Sequence, residues 1–151
     1  MGDERQIALD VPRTFPDEPF FGNPENPEPR LVLTNVLNTL SKHSSSTGYL
    51  QGLNYIVASL YYHCGEVLSF ELTIRLLNDY HLKEVHMSKL PGLYLHCDVI
   101  KVLVQEELPV LSKHLQEKRV EVFILCQNWI MTLFTQVIPL SQTQRFFALF
   151  W

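Results

Sequence analysis

Residues 49–63 read YLQGLNYIVASLYYH, and their pattern predicts an apolar helix with a polar residue at its entrance. Leucine and valine recur at spacings of three and four residues, which places them on one face of an α-helix. These residues are Leu50, Leu53, Val57 and Leu60. Gln51 stands at the entrance between Gly48 and Gly52, and a glycine inside a helix costs roughly 1 kcal/mol relative to alanine. A segment that only fills a core has little need of these glycines, so we expect another group to approach the backbone here.

The same helical spacing recurs through most of the chain. It predicts further helices in PRLVLTNVLNTLSKH (29–43) and over residues 67–81, 93–107 and 141–151, the last with Ser141 as its N-cap. Residues 120–138 are apolar nearly all round, which predicts a central helix that is buried on most sides. The β-branched run VEVFIL (120–125) is the nearest strand pattern, but its continuation favours a helix. These patterns predict an all-α domain.

The first part of the chain differs in composition from the rest. Residues 1–30 hold six of the nine prolines. Proline fixes its own backbone and disfavours the helical conformation in the residue before it. We therefore predict a proline-rich loop segment over residues 1–28, extended and irregular, and a helical core over residues 29–151.

Length and charge exclude some classes of function. A chain of 151 residues is long enough to bury the core of one domain. Its net charge is −4 and it has no long run of lysine or arginine, so we expect no nucleic-acid binding driven by phosphate neutralisation. The three cysteines are far apart and lack CxxC spacing, which is typical of reduced thiols in a cytosolic protein.

The sequence predicts neither a targeting signal nor a membrane span. Asp3 and Glu4 stand where a signal peptide carries positive charge, and Gln6 stands where a myristoylation signal prefers serine or threonine. The apolar run 120–138 has four polar interruptions, so it fits a buried helix better than a membrane span. The interruptions are Glu121, Gln127, Asn128 and Gln136.

Two His-Cys pairs are candidates for a metal site. They are His63-Cys64 and His96-Cys97. Neither pair has the tight local ligand spacing of a zinc site, so we expect buried thiols beside partly exposed histidines, and no metal. The chain also lacks the G-x-x-x-x-G-K pattern of a phosphate-binding loop, so we expect it to bind no nucleotide by itself.

The stretch IALDVPR (7–13) is the first candidate for a functional site. Asp10 and Arg13 are three residues apart, and Pro12 stiffens the backbone just before the arginine while it pushes Val11 towards extended conformations. Asp10 is therefore close enough in sequence to hold the guanidinium group. Taken alone, however, an arginine in a proline-rich loop is usually a solvated surface group, and Asp10 could simply brace the loop.

The stretch YLQG (49–52) is the second candidate. Taken alone, a glutamine at a helix start is usually a cap or a surface residue. Tyr49 could equally be a core aromatic whose hydroxyl has a hydrogen-bond partner. The chain contains I-x-x-D-x-x-R followed by Y-x-Q-G, and Arg13 and Gln51 are 38 residues apart. This pair of patterns resembles the two signature motifs of TBC domains. These are the catalytic domains of Rab GTPase-activating proteins. The resemblance extends to RTFPDEPFF (13–21), GYLQGLNYI (48–56) with its Asn54, Trp129, Phe134, Ile138-Pro139-Leu140 and Arg145.

The resemblance implies a function that acts on another protein. Arg13 would be an arginine finger and Gln51 a glutamine finger, both inserted into the site of a GTP-bound Rab GTPase. Asp10 and Tyr49 would position them, and Gly52 would leave room for the switch backbone of the partner. Asn54 would support the glutamine segment. GTP and Mg²⁺ would be carried by the partner, so the chain would need no cofactor and would stimulate hydrolysis without being a hydrolase.

The sequence also departs from the family. TBC domains begin several helices before the arginine motif, and they often read R-x-W-D where this chain reads Arg145-Phe146-Phe147-Ala148. We therefore expect residues 1–151 to be a partial TBC domain, truncated at both ends. A non-catalytic helical module that binds a Rab or an effector remains the alternative, and an adaptor unrelated to GTPases is a third hypothesis. The resemblance implies a cytoplasmic protein that reaches endomembranes through its partners.

Overall fold

The regular secondary structure is entirely helical in residues 2–43, 48–87 and 89–149, which are the residues that the computed structural model describes. The helices are α1 (Gly2–Asp10), α2 (Pro19–Gly22), α3 (Glu28–His43), α4 (Leu53–Asp79), α5 (Leu82–His86), α6 (Pro91–Glu107), α7 (Pro109–Glu117), α8 (Val122–Met131) and α9 (Thr143–Phe147). Short 3-10 turns are formed by Val11–Arg13 and Leu140–Gln142. The prediction of an all-α fold is confirmed.

The helix α4 contains two of the predicted helices. They join at Gly65, whose φ of 81° and ψ of 178° interrupt the helical backbone. Only glycine adopts this combination readily, so Gly65 makes the bend possible. The predicted first residues, 49–52, precede α4, because the left-handed backbone of Gly52 caps its start.

The prediction that residues 1–28 are extended is wrong for most of that segment. Residues 2–10 form α1, and the next three residues, including Val11, form a 3-10 turn. Proline does not prevent this, because Pro12 and Pro19 each lie in a first helical turn, where the missing N–H has no intrahelical partner to lose. Buried Ile7 then packs α1 against α3. Such tertiary packing is what stabilises a helix of this length.

The prediction of one buried helix over residues 120–138 is also wrong. The helix α8 ends at Met131, and turns follow in which Leu133 and Phe134 have positive φ. Cys126 is the buried residue of α8, whereas the side chain of Ile124 is 64% exposed. The reason is that α8 packs on α5 and α6 through one face, so an apolar composition all round does not bury the opposite face.

The predicted last helix differs from the observed one at its start. Ser141 lies in the 3-10 turn and is not an N-cap; α9 begins at Thr143, and its preceding residue, Gln142, makes no capping bond through its side chain. The end of the predicted helix, residues 150 and 151, lies outside the described residues.

Two groups of buried residues form the core and meet at α4. The N-terminal cluster joins α1, α2 and α3 to the first half of α4; its members include Ile7, Phe21, Leu33, Leu37 and Val57. The C-terminal cluster joins α4 to α5, α6, α8 and α9; its members include Ile56, Leu76, Leu93, Cys126 and Phe147. Tyr49 packs against both clusters. The turn that carries Gln51 therefore lies where the two clusters meet.

Within the described ranges, no helix is both long enough and apolar enough to cross a membrane.

Candidate functional site

Arg13 is presented by the turn that follows α1. The Thr14 N–H donates to the Val11 carbonyl at 3.1 Å, which closes the turn. The Arg13 side chain is 54% exposed, and its Nη2 donates to Oδ1 of Asp10 at 2.6 Å, while the Asp10 side chain is 0% exposed. The predicted contact between Asp10 and Arg13 is confirmed. A guanidinium group has five N–H donors, so the bond to Asp10 holds one side of it and leaves donors for a ligand.

The buried carboxylate of Asp10 is the centre of this arrangement. Oδ1 also accepts a hydrogen bond from Nε2 of Gln6 at 2.9 Å, and Oδ2 accepts one from the Tyr49 hydroxyl at 2.8 Å. Burying a charge is costly unless it is paired and hydrogen-bonded, and these donors meet that need. Burial raises the pKa of Tyr49, with a further contribution from the bond to Asp10, so the hydroxyl stays protonated and able to donate at neutral pH.

Asn54 and Thr14 complete a closed ring of polar contacts. The Tyr49 hydroxyl lies 3.3 Å from Oδ1 of Asn54, and Nδ2 of Asn54 donates to Oγ1 of Thr14 at 2.7 Å. The Thr14 hydroxyl donates in turn to the main-chain carbonyl of Asp10 at 2.8 Å. The ring ties the arginine turn to the residues on both sides of Gln51. Because its members support each other, it restrains both turns at once.

Gln51 is exposed in the turn before α4. The turn is closed by the Leu53 N–H, which donates to the Leu50 carbonyl at 3.2 Å. Gly52 follows with a φ of 99°. Across the described part of the chain, no group hydrogen-bonds to the Gln51 side chain. Its amide can therefore both donate and accept towards a partner.

The packing of this chain itself explains why glycine occupies positions 48 and 52. Gly48 has a φ of 64°, and a Cβ there would lie 2.5 Å from Oδ2 of Asp3. That carboxylate oxygen accepts bonds from the Ser41 hydroxyl at 2.6 Å and the Tyr49 N–H at 2.7 Å, and these bonds lower the pKa of Asp3. A Cβ on Gly52 would lie 3.2 Å from the Met131 carbonyl oxygen. The glycines thus make room for groups of this chain, and the clearance for a partner at Gly52 stays a prediction.

Arg13 and Gln51 line one cavity of about 320 Å³, so the structure brings the two predicted site residues together. Its other lining residues are Gly52, Asn54, Tyr55, Asn128, Met131, Thr132 and Gln136. A neighbouring cavity of about 490 Å³ shares Arg13, Tyr55, Asn128 and Gln136 with it.

Five of these lining residues were missed as site residues, namely Tyr55, Asn128, Met131, Thr132 and Gln136. The Tyr55 hydroxyl donates to the Arg13 carbonyl at 3.2 Å, Thr132 is buried, and Asn128 and Gln136 are exposed. Asn128 and Gln136 did leave a signal in the sequence, because they are polar interruptions of an apolar run. On its own, that pattern argues only against a membrane span. Thr14, which closes the polar ring, stands next to Arg13 but was not singled out either.

The His-Cys pairs make other contacts. Nε2 of His63 lies 2.8 Å from the Leu140 carbonyl oxygen, and Nδ1 of His96 lies 2.6 Å from that of Gly92. Cys97 is buried and Cys64 is partly buried. In the ranges that the structure describes, no three His, Cys, Asp or Glu residues are grouped so that they could hold a metal ion.

Comparisons with known proteins identify the family of the chain. A family model described as Rab-GTPase-TBC domain matches residues 2–151. The Rab GTPase-activating protein eat-17 of Caenorhabditis elegans is 31% identical over 142 residues, which are 94% of this chain and 16% of that protein. The human ecotropic viral integration site 5 protein homolog is 30% identical over 147 residues, which are 97% of this chain and 18% of that protein. The chain thus spans less than a fifth of these relatives.

A solved structure shows the same fold. The crystal structure of the Ypt/Rab-GAP domain of Gyp1p matches with a TM-score of 0.80 at 19% identity. The match covers 94% of this chain and 52% of that chain.

Proposed function

Because the chain belongs to the Rab-GTPase-TBC domain family, we propose that it accelerates GTP hydrolysis by a Rab GTPase, with Arg13 and Gln51 inserted into the partner's nucleotide site. The partner would be in the GTP-bound state and would carry Mg²⁺. The chain would meet it at endomembranes, held there through the partner.

The chemistry of GTP hydrolysis explains why these two side chains suit the task. Charge builds up on the phosphate oxygens in the transition state, and an arginine supplied in trans accelerates hydrolysis by about 10³–10⁵. This factor corresponds to roughly 4–7 kcal/mol of barrier. Arginine remains charged and can bond two oxygens at once, which lysine cannot reproduce. The carbonyl of a glutamine amide can accept a hydrogen bond from the attacking water, and its N–H groups can donate to a phosphate oxygen.

One observation carries the proposal: the exposed ends of Arg13 and Gln51 border the same cavity, although 38 residues of chain separate them. The polar ring from Asp10 through Tyr49, Asn54 and Thr14 supports both turns from beneath. Side chains held in place before the partner binds lose less entropy when they act on it.

The supporting residues would act through Arg13 and Gln51. Asp10 and Tyr49 would hold Arg13 in orientation, and Asn54 would join the arginine turn to α4. Gly52 would act through its backbone, because its left-handed conformation ends the turn in which Gln51 is displayed. The main chain around Gly52 would also border the switch region of the bound partner.

The experiment is a panel of GTP-loaded Rab GTPases assayed for phosphate release with this chain and its variants. We expect Arg13→Ala and Gln51→Ala each to reduce the stimulated rate by orders of magnitude, and Arg13→Lys to restore little of it. Arg75→Ala and Gln144→Ala are matched controls, because both residues are exposed on other helices away from the cavity. Circular dichroism would establish that the variants are folded.

Two outcomes would contradict the proposal. Arg13→Ala and Gln51→Ala variants as active as the parent would exclude the two-finger mechanism. Binding to a GTP-loaded Rab without any acceleration across the panel would identify the alternative, a module that docks on the GTPase and does not catalyse.

A further inference from the structure

A buried histidine lies behind the Gln51 turn. His86 is the last residue of α5 and is 8% exposed. Its Nε2 lies 2.9 Å from the carbonyl oxygen of Met131, the last residue of α8, and its Nδ1 lies 3.1 Å from the carbonyl oxygen of Leu82. The bond to Met131 joins two helix ends that are 45 residues apart in the chain.

The same carbonyl lies close to Gly52. A Cβ on Gly52 would lie 3.2 Å from the Met131 oxygen and 3.5 Å from Nε2 of His86. Three segments therefore meet at one point: the turn with Gln51, the end of α5 and the end of α8. Met131 also lines the cavity that Arg13 and Gln51 share.

The hydrogen-bonding capacity of the histidine determines how it can act. Burial lowers the pKa of His86, so the ring is neutral at neutral pH and has a single N–H to donate. The carbonyl groups in the last turn of a helix lack an intrahelical partner, so a donor from elsewhere must satisfy them. The Met131 carbonyl belongs to this class, and it is the nearer of the two oxygens to the ring.

We propose that His86 is a positioning residue: by donating to the Met131 carbonyl it fixes the surface against which Gly52 rests, and thereby the orientation of Gln51. Its catalytic consequence rests on the function proposed above. The geometric part does not, because it concerns the turn in the isolated chain.

The arrangement predicts that His86 is coupled to Gln51 and not to Arg13. The Arg13 guanidinium is held by its bond to Asp10, whereas His86 bonds to the Met131 carbonyl near Gly52. A change at His86 should therefore act through Gln51 and leave the arginine in place. A double-mutant cycle detects such a relation, because the effect disappears when its intermediary is absent.

The test compares His86→Met with His86→Gln. The two replacements are similar in length, but only glutamine can donate to the Met131 carbonyl. With a responsive GTP-loaded Rab, we expect His86→Met to lower kcat by roughly tenfold to a hundredfold at unchanged KM, a loss of the size that a misplacement of about 1 Å can cause. His86→Gln should restore most of the rate. His63→Met is the matched control, because His63 also contacts a carbonyl oxygen but does so at Leu140.

The same replacement in two backgrounds separates positioning from general destabilisation. Adding His86→Met to the Gln51→Ala variant should lower its residual hydrolysis rate no further. Adding His86→Met to the Arg13→Ala variant should still lower the residual rate of that variant. An equal further loss in both backgrounds, or an equal loss of kcat with His63→Met, would overturn the proposal.

Hydrogen exchange on the isolated chain tests the geometry without any GTPase. We expect faster exchange of the amides of residues 51–53 in His86→Met and near-parental exchange in His86→Gln and His63→Met. Unchanged exchange in His86→Met would overturn the inference. If no Rab responds to the parent chain, the proposed function fails, while this measurement still decides whether His86 holds the turn.

Discussion

At the scale of single residues, the site depends on a carboxylate that is buried and fully engaged. Asp10 accepts hydrogen bonds from Gln6, Arg13 and Tyr49, so it links a solvent-exposed cation to the interior. A lone arginine in a flexible loop would sample many orientations. The bond to Asp10 removes much of that freedom before a partner arrives, which lowers the entropy cost of binding.

The hydroxyl of Tyr49 should therefore matter for both stability and activity. Replacing Tyr49 with Phe leaves one oxygen of the buried Asp10 without its donor, which we expect to lower the free energy of unfolding by about 1–3 kcal/mol. The stimulated rate of hydrolysis should fall as well, because Arg13 loses part of its support. Urea unfolding and the phosphate-release assay measure the two effects.

Tyr62→Phe is the control for this prediction, because Tyr62 is partly exposed and lies outside the polar ring. An equal loss of stability in both variants would show that the bond to Asp10 contributes nothing particular.

At the scale of elements, α4 connects the two halves of the core. Its first half contributes Val57 to the N-terminal cluster and Ile56 to the C-terminal cluster, and its second half contributes Leu76 to the C-terminal cluster. Gly65 interrupts the helical backbone between these two halves. Helical periodicity on each side predicted two helices, and the break between them is the glycine itself.

Gly65→Ala should destabilise the protein through the backbone alone. The space around a Cβ at this position is open, but the φ of 81° and ψ of 178° are strained for any residue with a side chain. We expect a loss of about 1–3 kcal/mol in the free energy of unfolding. Gly2→Ala is the control, because a Cβ there also meets nothing within 4 Å and the backbone is helical. A Gly65→Ala variant as stable as the parent would show that α4 can straighten at no cost.

At the scale of the whole molecule, the two residues proposed as fingers belong to different halves. Arg13 follows α1, which packs into the N-terminal cluster, whereas Gly52 of the Gln51 turn lies near Met131 and His86, beside the C-terminal cluster. Tyr49 packs against both clusters. The relative position of Arg13 and Gln51 is therefore a property of the entire packed domain.

This shared packing predicts that the two clusters unfold together. Leu33 is fully buried in the N-terminal cluster, so Leu33→Ala should cost about 2–5 kcal/mol. In a Trp151→Phe background, the urea midpoint should shift equally when unfolding is followed by the fluorescence of Trp129, which packs against the C-terminal cluster, and by circular dichroism. A fluorescence midpoint that stays in place while the circular dichroism midpoint moves would show that the clusters unfold separately.

The all-α class, most helix positions and the motif pair around Arg13 and Gln51 were predictable from the sequence, because helical periodicity and motif spacing are local properties of a chain. The bond from Asp10 to Arg13 was predictable for the same reason, since three residues separate them. The helix at residues 2–10 and the exposed face of α8 were not, because tertiary packing determines whether a proline-rich segment folds and which apolar faces are buried.

The rest of the site depended on contacts between distant segments. Local sequence patterns cannot predict contacts between residues that are far apart in the chain. Such contacts form the polar ring, the part of the cavity lined by Asn128 and Gln136, and the bond from His86 to Met131. The same holds for the glycines beside Gln51: their presence was visible in the sequence, but the groups they make room for, on Asp3 and Met131, are brought there only by the packing of α1 and α8.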